Sequence, residues 1–127
     1  MTPEVEVAIA ELKQVFDGHT IDISPETQGG AYIKVHDLEI GQQFTPSRTW
    51  IGFLINFQYP RSDVYPHFMD PTVGRADGSV WHGGISGPTD WNGTKAIQIS
   101  RRSNHWDASR DSAAIKLIKV LEWLKTQ

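Results

Sequence analysis

The chain has 127 residues, a formal net charge of −3 and no cysteine, so it can bury one core and carries no global positive field for nucleic acid or an anionic membrane. Without thiols it has no disulfide scaffold, thiolate metal site or thioester chemistry of its own. No apolar run reaches the roughly 18–20 residues of a bilayer span, and MTPEVEVAIAELKQVF lacks the basic-then-apolar order of a signal peptide, so a single cytoplasmic domain, 1–127, is expected.

In chain order, residues 4–16 predict a helix. Val5, Ala8, Ile9, Leu12, Val15 and Phe16 recur at three- and four-residue spacing, Thr2-Pro3 supplies a start and Asp17-Gly18 a stop. The period then changes to two. A short strand is expected at 20–24, and another where Ala31, Ile33 and Val35 alternate with Tyr32, Lys34 and His36. The strongest strand is WIGFLINF, with Ile51, Phe53, Ile55 and Phe57 on one face and Trp50, Gly52, Leu54 and Asn56 on the other. Residues 64–69 predict a further strand, and Pro66 argues for an edge or bulged position.

Residues 70–108 read as a long irregular segment with a brief strand at 96–100, and Trp81, Trp91 and Trp106 argue against simple disorder there. A closing helix is expected over 109–125, capped by Ser109. Ala113, Ala114, Leu117, Leu121 and Leu124, joined by Ile118 and Val120, would face the sheet, leaving Lys116, Lys119, Glu122 and Lys125 in solvent. The order is helix, four-stranded antiparallel meander, long segment, helix: an α+β sandwich of a sheet against helices.

Candidate chemistry is sparse. His67, His82 and His105 are titratable, with Asp63, Asp70, Asp77, Asp90 and Asp107 nearby, but no pair has a zinc-motif spacing, so neither metal nor cofactor is expected. Ser79, Ser86 and Ser103 sit in no recognisable nucleophile elbow. The run SRRSNHW, residues 100–106, is the one compact basic patch; the acidic balance counts against nucleic acid as its main partner. Trp81, after Val80, is either a plug closing its loop on the core or part of a recognition surface.

Three stretches in order resemble the ubiquitin-conjugating (E2, UBC-like) family: YPRSDVYPHFMDP at 59–71, DPTVGRADGSVW at 70–81, and NHWDA at 104–108 before the last helix. The first is similar to the Tyr-Pro pair and Pro-containing strand of that family, the second to its active-site approach, the third to its Trp-x-Pro segment. Where the resemblance places the nucleophilic cysteine stands Trp81, and near the position of its oxyanion-stabilising Asn stands Thr72. Indole cannot carry a thioester. The resemblance therefore implies a cysteine-less, non-catalytic adaptor, comparable with E2 variants and, more loosely, with bacterial E2-like families. Such an adaptor binds a ubiquitin-like modifier or an E1- or E2-like partner, with Trp81, His82, Trp91 and Trp106 as candidate contacts. The alternative is a small hydrolase or metal-dependent enzyme using His82 or His105 with Asp107 in the long segment.

Overall fold

A computed structural model describes residues 1–127. Its first element, α1 (Pro3–Val15), starts where the sequence places it: the Thr2 hydroxyl accepts from the Val5 N–H at 3.1 Å, and Pro3 opens the first turn. Val5, Ala8, Ile9 and Leu12 form its buried stripe. Strands β1 (Ile21–Pro25), β2 (Ala31–Glu39), β3 (Phe44–Thr45) and β4 (Arg48–Ile55) follow. Then come β5 (His67–Met69), β6 (Gly74–Arg75), β7 (Ile85–Trp91), β8 (Thr94–Ile99) and α2 (Ala113–Lys125).

The fold is α+β, with an N-terminal helix, an antiparallel sheet and a C-terminal helix. Its main sheet runs β1-β2-β4-β5-β8-β7, so it has six strands where the sequence predicts four; β3 and β6 make a separate pair. The segment 70–108 is therefore not irregular throughout, because β7 and β8 form a hairpin that extends the sheet. The helix-side face carries one continuous row across four strands, Ile33, Phe53, His67 and Ile99, each opposite the next. Both helices contribute to the core beneath it, through Leu12 of α1 and Leu117, Val120 and Leu124 of α2. This face is the two-residue period of WIGFLINF made physical; Phe57 falls past the end of β4 and is exposed.

Three further expectations are corrected. β5 lies inside the sheet, not at its edge: pairing begins at His67, one residue past Pro66, so the missing proline N–H breaks no ladder bond. α2 begins at Ala113 rather than 109, with Ser112 as its cap, because Asp107 and Ser109 are engaged in a preceding turn. Lys116 is buried, and Ile118 is exposed instead. Lys116 lies three residues after Ala113 and four before Val120, on the buried stripe, whereas Ile118 points away from it.

Candidate functional site

The loop at 70–81 is built from aspartate turns. Asp70 Oδ1 accepts from the Thr72 N–H at 2.8 Å and from its hydroxyl at 2.6 Å; Asp77 holds Ser79 in the same way. These bonds hold both carboxyls below the usual carboxylate range, against a smaller upward push from desolvation at Asp77; at Asp70 desolvation is the largest single influence, but the bonds from Thr72 and Trp50 together outweigh it. The Thr72 hydroxyl is thus already committed to Asp70. Trp81 is half-buried, with its ring centre 6.1 Å from that of Phe44, and packs against the core. It closes the loop as a plug. Val80 beside it is 84 % exposed, and His82 is exposed with no hydrogen bond to its ring.

The segment after β8 is pinned from below. Lys116 Nζ lies 3.0 Å from both oxygens of Asp63 and 2.6 Å from Ser103 Oγ, while the Ser103 N–H donates to Asp63 at 2.7 Å. The Ser103–Lys116 contact has the spacing of a nucleophile and its base, yet Lys116 is engaged by both carboxylate oxygens, as an ammonium in an ion pair is. Trp106 donates from Nε1 to the Pro60 carbonyl at 2.7 Å and stands edge-on to Tyr59. The Tyr59 hydroxyl in turn accepts from the Ala113 N–H, satisfying the start of α2; burial pushes this phenol's pKa up.

His105 and Asp107 line one open cavity, and His82 is not among its lining residues. Asp107 accepts from the Ser109 N–H and hydroxyl, which lower its pKa, and neither histidine ring is hydrogen-bonded to it. No cluster of three His, Cys, Asp or Glu side chains has the spacing to hold a metal ion. His67, by contrast, is wholly buried on the helix-side face with neither ring nitrogen bonded.

Trp91 is placed differently from the other tryptophans. It ends β7 and folds over the sheet face opposite the helices, stacked on Phe68 at 5.0 Å and Trp50 at 6.1 Å, and edge-on to Tyr32 at 6.1 Å. Lys34 Nζ lies 4.2 Å from the centre of Trp50, whose indole N–H donates to Asp70 at 3.0 Å. Gly52 makes the floor of this plate: a Cβ there would lie 2.5 Å from two Trp91 ring carbons. Gly52→Val should therefore expel Trp91 and cost about 1–3 kcal/mol by overpacking. Thermal unfolding and the Trp91 indole NMR signal would report it, with Gly74→Ala, which meets nothing within 4 Å, as the control. A Gly52→Val protein with an unmoved Trp91 signal and an unchanged melting point would refute the packing.

The four candidate contacts thus do not form one cluster: Trp81 packs on Phe44, Trp106 on Tyr59, and Trp91 on the outer face, while His82 stands in solvent. Tyr32, Lys34, Trp50 and Phe68 were not singled out by sequence. The alternation of β2 and β4 places Tyr32, Lys34 and Trp50 on the outer face, which is the signal that could have found them; Phe68 lies in β5, whose three residues are too few to show a period. With no cysteine, the chain cannot perform the thioester chemistry of a ubiquitin-conjugating enzyme. No helix is long and apolar enough to cross a membrane. Compared with family models, curated proteins and solved structures, the chain matches none.

Proposed function

We propose that the chain is a non-catalytic, E2-like adaptor that binds a ubiquitin-like modifier, or an E1- or E2-like partner, in a cytoplasmic protein-conjugation pathway. The contact surface is the outer face of the sheet. The observation that carries this reading is the plate of Tyr32, Trp50 and Trp91 with Lys34 at its side, all only partly buried on the face the helices leave uncovered. Trp and Tyr are the residues that dominate binding energy at interfaces, and rings already stacked lose little freedom on docking. The helix–sheet–helix order and the absent cysteine support the same reading.

The test is an NMR titration of isotope-labelled protein with the ubiquitin-like protein of its own cell, then with the E1- and E2-like proteins. Shifts confined to Tyr32, Lys34, Trp50 and Trp91, and binding weakened about tenfold or more by Tyr32→Ala or Trp50→Ala, are expected. Absence of any shift with all of these partners at millimolar concentration would remove the proposal.

A further inference from the structure

SRRSNHW follows β8 and, with one flank of α2, lines an open cavity of about 330 Å³. Its lining holds the cations Arg101, Arg102, Lys116 and Lys119 against a single carboxylate, Asp111. Two of these cations are already answered: Lys116 by Asp63 at 3.0 Å, and Lys119 by Asp111 at 3.5 Å. The two guanidiniums are not. Each is laid on an aromatic ring instead, Arg101 at 4.6 Å from the centre of Trp123 and Arg102 at 4.9 Å from that of Tyr65. A stacked guanidinium keeps its N–H edges free, and those edges match the oxygens of a phosphate in a fork.

The cavity is held in shape before any ligand arrives. The Ser103 N–H and hydroxyl are tied to Asp63 and Lys116 directly after the two arginines. Trp123 is seated against Gly84, which has φ +90° and where a Cβ would lie 2.9 Å from the indole. The backbone that carries Arg102 is therefore anchored to a buried ion pair, and the ring under Arg101 is wedged in place. Arginines held this way bind an anion with less ordering cost than mobile ones.

We propose that this cavity binds the phosphate group of a small phosphate-bearing molecule, with Arg101 and Arg102 as the donors. A volume of about 330 Å³ lies at the small end of ligand sites and suits a molecule of mononucleotide size. A nucleic-acid strand needs a basic track with successive stacking platforms, and a chain with net charge −3 supplies no overall positive field to draw one in. The proposal is independent of the adaptor reading, because no residue of the outer aromatic plate lines this cavity.

The experiment is a titration of the full chain, by calorimetry and NMR in phosphate-free buffer, with inorganic phosphate, adenosine monophosphate and a short single-stranded oligonucleotide. Sodium chloride of matched ionic strength is the blank. Saturable binding of phosphate and the nucleotide is expected, with shifts at the Arg101, Arg102 and Trp123 signals. Arg101→Gln/Arg102→Gln should weaken both about tenfold or more while lowering the unfolding temperature by only a few degrees, since both side chains are exposed and lose no more than their stacking on Trp123 and Tyr65. Nucleotide binding tighter than phosphate identifies a nucleoside phosphate as the source; equal affinities identify the phosphate group alone. Three results would overturn the site: no saturation by about 10 mM phosphate, a double variant that binds as well as the parent, or an oligonucleotide preferred over both small ligands.

Discussion

Asp63→Ala is expected to destabilise the protein by about 3–5 kcal/mol, because it strands a buried ammonium. The Lys116 side chain is 5 % exposed and that of Asp63 16 %, so water does little to replace the lost carboxylate. The Ser103 N–H, bonded to Asp63 at 2.7 Å, loses its acceptor as well. For a domain of this length the melting temperature should fall by about 10 °C or more. Asp63→Ala/Lys116→Met should recover much of the loss, since methionine fills the same channel without a charge. A single Asp63→Ala variant that melts with the parent would show that Lys116 escapes to solvent, and the anchored segment would have to be abandoned.

Acid should destabilise the fold well above the range where carboxylates titrate, and His67 is the cause. Burial first, then the positive charge of Lys116, push this imidazole down from 6.5 to about 3, with Asp63 opposing weakly. The ring lies 5.1 Å from Phe53, with neither nitrogen bonded, so the neutral form is the one that fits. Above pH 6.5 both folded and unfolded chains hold it neutral. As pH falls from 6.5 toward 3, the unfolded chain takes up a proton that the folded one refuses, and stability drops across that window. The carboxyls of Asp37, Asp70, Asp77 and Asp107, all held below 3.8, add their losses only as pH falls past that value. Between pH 6.5 and 4 the slope thus belongs largely to His67. His67→Leu should flatten it and raise the melting point at neutral pH, because it removes two unpaired polar atoms. An unchanged slope in His67→Leu would assign the acid sensitivity elsewhere.

Much of this architecture was legible because it rests on local rules. The spacing of Val5, Ala8, Ile9 and Leu12 and the Thr2-Pro3 start give α1 to within a residue at each end. Alternation gives β2 and β4. The strand expected at 96–100 is β8 (Thr94–Ile99), but its partner β7 and the hairpin they form were not legible, although Asn92-Gly93 stands at the tip, with φ of 47° and 79°: a two-residue turn signal. Gly87-Pro88 interrupts β7 and hides the alternation that would have exposed it. Lys116 was misread because its charge outweighed its position on the helical stripe. Its partner, Asp63, lies 53 residues away in the chain, and no periodicity carries that information. The aromatic plate is hidden for the same reason: Trp50 and Trp91 meet only once β8 has come to lie beside β5.

β5 has one more consequence. Its three residues are the sole pairing between β1, β2 and β4 on one side and the β8–β7 hairpin on the other, so the sheet is two panels joined by a narrow hinge strip. Trp91 springs from the second panel and lies across Phe68 onto Trp50 and Gly52 of the first, like a latch over that strip. The rings proposed as the contact surface are therefore also the ones that keep the panels together. A protein seated on both panels would brace the join and add to its cohesion by mass action. Loss of Trp91 would loosen it, whereas a change at Lys34, which stands on one panel only, would alter recognition and leave the latch closed.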